Sequence, residues 1–339
     1  MKVVERPSLQ ALNSFGLPAM AALLVELESE EELLSLPAFD PRRDCVLGGG
    51  SNVVFVGDVP GTVYRNSIPG RALVEDSGDE VLLEVGAGED WHQLVRWTLA
   101  QGLSGLENLS LIPGRVGAAP IQNIGAYGVE LSSLLESVTA WEWQQARWVC
   151  FSADDCQLAY RDSRFKSREP DRYLITSIRL RLRRRFRPVL EYAGLREELA
   201  AMDIREPSAR DVSDAVIRIR RRKLPDPAEN GNAGSFFKNP LVSAARAEQL
   251  QAAHPGLVSW PTGDGTAKLS AAWLIEKCGL KGERFGDAAV SKQHALVLLN
   301  RGAATGADVA ALARRIQARV ADEFGVPLEP EPRLFEFSA

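Results

Sequence analysis

Two glycine clusters carry the first chemical signal in this chain. The earlier one, Gly48-Gly49-Gly50-Ser51-Asn52, offers consecutive backbone N–H groups with no Cβ atoms in the way, and a hydroxyl and an amide beside them. A concave nest of that kind suits a diphosphate. It is not a Walker loop, because no Gly-Lys-Ser/Thr follows, and not the dinucleotide fingerprint, because Val53 stands at the third glycine position. A plain tight turn accounts for the same five residues equally well. The later cluster runs from Ile112 to Gly128 (IPGRVGAAPIQNIGAYG) and mixes small residues with Gln122, Asn123 and Tyr127. Backbone can press close to a flat ligand there, and the amides suit the hydrogen-bonding edge of an isoalloxazine ring. The plainer alternative is a glycine-rich loop.

The elements around these clusters must hold them in place. Val46-Leu47 and Val53 to Val56 read as short strands on either side of the first turn. Glu80 to Val85 is a further strand. Asp90 can cap a helix in which Trp91, Leu94, Val95 and Leu99 share a face until Gly102 stops it. The stretch from Gly102 to Gly128 is then a long ordered loop, and long loops inside compact domains usually bind something. Val25 to Leu36 (VELESEEELLSL) has helical spacing with an acidic face and predicts a solvated helix.

Ser137 to Trp143 and Tyr173 to Leu182 read as strands. The arginines between Ile178 and Arg183 alternate with apolar residues, which predicts one solvated strand face rather than a basic binding patch. Helical segments are expected over Leu195 to Met202 and from about Ser213 to Lys223. The second ends at Leu224-Pro225-Asp226-Pro227, whose prolines mark a boundary. Ser270 caps AAWLIEKCG, Ala295 to Asn300 is a buried strand, and Thr305 or Asp308 opens a helix that Gly325 closes. This mixture without internal repeats is α+β or α/β in character.

Composition sets the bounds. A chain of 339 residues is long enough for two or three packed units, and 45% hydrophobic with 25% charged residues is ordinary globular usage. The net charge of -5 argues against a general nucleic-acid-binding surface. Cys45, Cys150, Cys156 and Cys278 are scattered without a CxxC pair, so neither a metal site nor a disulfide framework is expected, and a reducing cytoplasm fits. The start, MKVVERPSLQ, lacks an apolar signal core, and the run from Ala19 to Val25 is too short to span a bilayer.

Further motifs occur in a fixed order along the chain. They are Asn13-Ser14-Phe15-Gly16, Tyr160 to Lys166 (YRDSRFK), Lys223 to Pro227 (KLPDP), Gly231 to Pro240 (GNAGSFFKNP), Lys268 to Gly282, and Leu328-Glu329-Pro330-Glu331. Combined with GGGSN and PGRVGAAPIQNIGAYG, they make the chain resemble the UDP-N-acetylenolpyruvoylglucosamine reductase family through most of its length. The resemblance implies an α+β chain. It would have an FAD-binding fold of the vanillyl-alcohol-oxidase/PCMH type, with α/β subdomains at 1–66 with 326–339 and at 67–212, and a C-terminal α/β substrate-binding domain at 213–325. It also implies bound FAD, NADPH as hydride donor, and UDP-N-acetylglucosamine enolpyruvate as substrate. A soluble cytoplasmic monomer is the expectation, without membrane or nucleic-acid partners.

Residue by residue, the resemblance assigns FAD contacts to Gly48, Gly49, Gly50, Ser51, Asn52, Pro113, Gly114, Gly117, Gln122, Asn123, Gly125, Ala126, Tyr127 and Gly128. It assigns catalysis to Arg161, Ser235 and Glu331. Taken alone, Arg161 reads as a surface ion-pair partner of Asp162 and Ser235 as a turn residue. Glu331 is chosen over Glu329 because it is the second acid of the family's LEPE pattern. Substrate contacts are implied for Tyr160, Tyr192, Lys223, Lys238 and Asn239, for Trp260, which stands where relatives often carry Tyr, and for His294, where some carry Gln. Two rivals stay open at this point: an FAD oxidase of the same fold, and a nucleotide-sugar-binding protein that has lost the chemistry.

Overall fold

The computed structural model describes residues 1–337, so the last two residues of the expected 326–339 segment lie outside it. Strand β1 (Lys2–Glu5) pairs antiparallel with β2 (Ala21–Leu27), and β3 (Cys45–Leu47), β4 (Val53–Phe55) and β5 (Val59–Asn66) follow. β5 runs parallel between β2 and β3, giving the order β1-β2-β5-β3. β2 occupies the start of the segment expected to be helical, and only Glu31–Ser35 coils, as a 3₁₀ turn. Val25 and Leu27 join a buried cluster with Tyr64 and Trp141, while Glu26 reaches Ser67 and Arg65. Sheet pairing and burial outweigh the local helical spacing there.

A second sheet contains β6 (Arg71–Asp76) and β7 (Glu80–Gly86), which precede helix α1 (Trp91–Ala100). After the long loop and the two-residue strands β8 (Gly125–Ala126) and β9 (Val129–Glu130) come β10 (Leu135–Glu142), β11 (Arg147–Ser152) and β12 (Tyr173–Arg183). The sheet order is β11-β10-β12-β7-β6, antiparallel throughout. Asp90 caps α1 as expected, accepting from the Gln93 N–H at 2.8 Å. The helix buries Trp91, Leu94 and Val95 in one cluster with Val81, Leu83 and Val85. On β12, Ile178, Leu180 and Leu182 are buried while Arg179 and Arg181 reach Glu84 and Glu136 at 2.7 and 3.0 Å. Surface pairs of this sort contribute roughly 0–1 kcal/mol, so the arginine cluster is a solvated strand face.

Helices α2 (Leu195–Ala201) and α3 (Ala209–Lys223) pack together. α3 starts four residues before the expected Ser213, because Ser208 and Asp211 form a reciprocal capping box. Next come β13 (Leu241–Ser243), α4 (Ala244–Ala253), β14 (Ser259–Pro261) and β15 (Thr266–Leu269), with β15 central in a three-stranded sheet. They are followed by α5 (Ala271–Lys277), a β16 (Arg284–Phe285), β17 (Ala288–Val290), β18 (Leu298–Asn300) sheet, α6 (Gly306–Phe324) and β19 (Arg333–Phe335). Only the last three residues of the strand expected over Ala295 to Asn300 join that sheet. The residues before them turn to the Ser235 segment, where the Phe236 N–H donates to the Leu296 carbonyl at 2.7 Å.

Two segments tie the early and late parts of the chain together. The NSFG motif places Phe15 and Leu17 in the core formed by Phe236, Phe237 and helices α4 to α6. Asn13 holds that turn through Leu9 and Leu17, and Ser14 Oγ donates to the Asn232 carbonyl at 2.6 Å. At the other end, β19 lies parallel to β4 with Arg333 opposite Val53. α6 begins where a Cβ on Gly306 would stand 1.7 Å from the Phe55 carbonyl oxygen. Alanine gains up to about 1 kcal/mol of helix propensity over glycine, but it cannot occupy that space. Gly306→Ala should therefore lower stability by about 1–3 kcal/mol or more in urea unfolding, against the propensity trend.

Candidate active site

A cavity of about 870 Å³ opens between these units. Among the residues implied by sequence it brings together Ser51, Asn52, Pro113, Gln122, Gly125, Arg161, Ser235 and Glu331. The first glycine turn packs directly on the second cluster: a Cβ on Gly49 would lie 3.0 Å from Gly114 Cα, and Ser51 Oγ donates to the Pro113 carbonyl at 3.2 Å. Gly50 has a φ of +64°, and a Cβ there would sit 1.9 Å from the Leu12 carbonyl oxygen, so no other residue fits without moving the backbone. Among the described residues, the N–H groups of Gly49, Gly50 and Ser51 donate to no protein acceptor. Asn52 Nδ2 donates to Gln122 Oε1 at 2.6 Å, linking the two clusters.

Arg161 and Glu331 meet inside this cavity. Nε and Oε1 are 3.0 Å apart, with the side chains 21% and 13% exposed. Nε has no aligned hydrogen-bond acceptor, so the contact is an ion pair rather than a directed bond. Arg161 Nη2 also donates to the Gly125 carbonyl at 3.0 Å. Asp162 is not its partner: that carboxylate accepts from the Ser163 N–H and the Ser167 hydroxyl. The backbone fixes Glu331, whose N–H donates to the Phe236 carbonyl at 2.7 Å, one residue beyond Ser235. Lys166 Nζ approaches the Glu331 carbonyl at 3.4 Å, and burial followed by Lys238 pulls its ammonium below the usual lysine range. Glu329 points away and pairs with Lys238 at 2.9 Å.

The remaining implied residues are not gathered so closely. Asn123 turns its amide into the protein, toward Glu130 and the Ala159 carbonyl, and Gly117 donates to the Ala87 carbonyl at the end of β7. Ala126 and Tyr127 pack with α2 and α3, where Tyr127 meets Tyr192 edge-on at 4.9 Å, and a Cβ on Gly128 would touch Val189. Tyr192 and Trp260 are each 45% exposed, and neither lines the cavity. Lys223 is exposed at the end of α3, beyond which Leu224 and Pro225 form the cavity wall. Asn239 Oδ1 accepts from the first N–H of α5 at 3.0 Å. Tyr160 has Lys268 Nζ 4.6 Å from its ring centroid, and burial raises its phenol. His294 follows the lining residues Ser291 to Gln293.

Residues 226–335 match the model for the UDP-N-acetylenolpyruvoylglucosamine reductase C-terminal domain, and residues 21–144 match an FAD binding domain. Proteins named UDP-N-acetylenolpyruvoylglucosamine reductase are 51% identical in Pseudomonas aeruginosa, over 99% of both chains, and 54% identical in an Azoarcus species, over 98% of this chain and 97% of that one. The chain belongs to the UDP-N-acetylenolpyruvoylglucosamine reductase family. The crystal structure of such a reductase from Thermus caldophilus superposes with a TM-score of 0.68 at 29% identity, covering 99% of this chain and 100% of that one. The expected fold, an FAD-binding unit of the vanillyl-alcohol-oxidase/PCMH type with a C-terminal α/β domain, is borne out. Among the described residues no helix is long and apolar enough to cross a membrane.

The residues present fit the FAD of this reductase family. The unpartnered N–H groups of the first glycine turn suit a diphosphate, and the floor from Gln122 to Gly125 leaves room for a flat ring. Sequence reasoning missed Arg220, which also lines the cavity. The signal was available: Arg220 lies four residues after Val216 and eight after Val212, on the buried face of α3. It also missed His92, whose Nδ1 accepts from the Leu111 N–H at 3.0 Å and holds that cavity-lining residue at a φ of +58°.

Burial pushes both His92 and His294 below the ordinary imidazole range. The cations Arg96, Arg221 and Arg220 add to this for His92, as do Lys223 and Lys281 for His294. With folded values below the unfolded value of about 6.5, the unfolded chain binds more protons between the two. The stability these groups allow is therefore complete above about pH 6.5 and is lost as pH falls through the depressed values. Thermal melts from pH 8 to 5 should show falling stability on acidification, with a shallower fall in His92→Gln.

Proposed function

We propose that this protein reduces UDP-N-acetylglucosamine enolpyruvate to UDP-N-acetylmuramate with NADPH through bound FAD, a step in peptidoglycan precursor synthesis. The observation that carries the reading is the Arg161–Glu331 pair beside Ser235 in one cavity, in a chain of this family. Bound FAD, held by the first glycine turn and by Gln122 and Gly125, would supply the hydride chemistry between NADPH and C3 of the enolpyruvyl ether, and the protein supplies the proton that completes C2. The protein must stabilise the negative charge that hydride addition places on C2 and the substrate carboxylate. Arg161 holds that carboxylate, because a guanidinium stays charged and can grip it through parallel hydrogen bonds. Gly125 and Glu331 keep the guanidinium in place.

Ser235 delivers the proton to C2, a role that depends on close placement because a serine hydroxyl is a weak acid. Its segment is fixed on one side by Val297 and Leu296 and on the other by the Phe236–Glu331 hydrogen bond. Lys223, next in sequence to the cavity-lining Leu224, His294, next to Gln293, and Lys238 are the candidates for the UDP moiety. Tyr192 and Trp260 reach it only if the segments that bear them move over bound substrate. FAD would lie between the units at 1–66 with 326–339 and 67–212, and the sugar nucleotide under 213–325. A cytoplasmic monomer completes the reading.

Purified protein should oxidise NADPH in step with added UDP-N-acetylglucosamine enolpyruvate and release a product two hydrogens heavier, seen by mass spectrometry. Ser235→Ala should slow turnover roughly 10²–10⁴-fold, the usual worth of a positioned proton donor. NADPH should still bleach the flavin of that variant at the normal rate. Turnover unchanged in Ser235→Ala would remove the proposed proton donor.

A further inference from the structure

We infer that Arg220 is an anion-binding residue of this cavity, kept charged and without a protein partner so that a bound ligand supplies the countercharge. The inference rests on the proposed function only for the identity of the ligands. Arg220 is carried into the cavity by the last turn of α3, after a face that buries Val212, Val216 and Ile219. Its Nε is fully enclosed and has no hydrogen-bond partner. The other partly enclosed arginine of the site, Arg161, has Glu331 for a counterion, and the neighbours Arg218 and Arg222 share Glu198. Among the described residues no carboxylate is within ion-pairing distance of Arg220.

A half-buried guanidinium whose Nε is enclosed and which has no countercharge is costly for the folded protein, and removing its charge relieves that cost. Burial pulls its pKa down, and Arg161 opposes its charge further, while the nearby Tyr127 phenol favours it. The wall has the same bias. Six cationic residues line the cavity (Arg161, Arg220, Arg221, Arg284, Lys292 and Arg301) against three carboxylates, those of Asp226, Glu229 and Glu331. A field of that sign favours ligands carrying phosphate or another delocalised anion. Both the flavin nucleotide and the UDP-sugar have this chemistry. Arg220 is set apart from the exposed cations of the wall by its enclosure, which makes any charge that reaches it count for more.

The test compares wild type with Arg220→Met, which keeps the length of the side chain without the charge, and with Arg220→Lys. The apo-protein, stripped of FAD, is melted first, and FAD and UDP-N-acetylglucosamine are then titrated separately at low and high salt. The apo Arg220→Met variant should melt at least as high as apo wild type, with a rise of roughly 2 °C or more expected from relief of the unpaired charge. It should bind one of the two ligands at least tenfold more weakly at low salt, with Arg220→Lys recovering part of the loss. Weakened FAD binding would name the flavin nucleotide as the source of the anion, and weakened UDP-sugar binding to the holo-variant would name the substrate. A lower apo melting temperature with both affinities within twofold of wild type would overturn the inference and make Arg220 a packing residue. Wild-type protein that binds no FAD would instead sink the proposed function.

Discussion

The contact between Arg161 and Glu331 joins residues 170 positions apart, and much of the fold can be read as what is needed to make it. Glu331 arrives on a segment that has left α6, paired with the Ser235 segment through the Phe236 carbonyl, and is about to enter β19 against β4. Arg161 arrives from the middle sheet, on a turn with a φ of +54°. The contact therefore requires all three parts of the chain to be assembled. A pair this enclosed gives little net stability, because desolvation offsets the attraction, yet losing one partner would leave the other stranded. Its value lies in presenting a fixed positive charge and a carboxylate to the same small volume.

Charge imbalance is the second theme of the cavity. Cationic walls attract nucleotide ligands, and the first glycine turn adds N–H groups that no protein atom accepts. Both features cost the empty protein something and return it when anionic ligands bind. The Arg333–Asp171 pair, with contacts of 2.5 and 2.6 Å, fastens the C-terminal segment to the middle unit just past Glu331. Exact position at the reacting centre thus depends on ties well outside it.

Much of this was legible in the sequence. The caps at Asp90 and Ser270 and the alternation along β12 were read correctly, and of the two starts left open for α6 Thr305 is the cap with Asp308 completing its box, because each is a local signal whose physics is completed within a few residues. Val25 to Leu27 were misread as helix because their strand partners lie in β1 and β5, about twenty to forty residues away, and periodicity cannot see them. The motif order pointed to the three residues that meet in the cavity. The residues read alone suggested Asp162 as the partner of Arg161, where the resemblance put Glu331 beside it, and nothing in the sequence showed that Asn239 Oδ1 caps α5, since both depend on tertiary contacts. Arg220 was hidden among four consecutive basic residues and is distinguished only by its place on the helix wheel.

The most direct test of the central claim is a single anaerobic transient. The flavin of the purified protein is bleached with NADPH, UDP-N-acetylglucosamine enolpyruvate is added without oxygen, and the visible absorbance is followed. Rapid return of the oxidised flavin spectrum is the expected result. A spectrum that stays bleached until oxygen is admitted would contradict the account and make an oxidase of the same fold the better one.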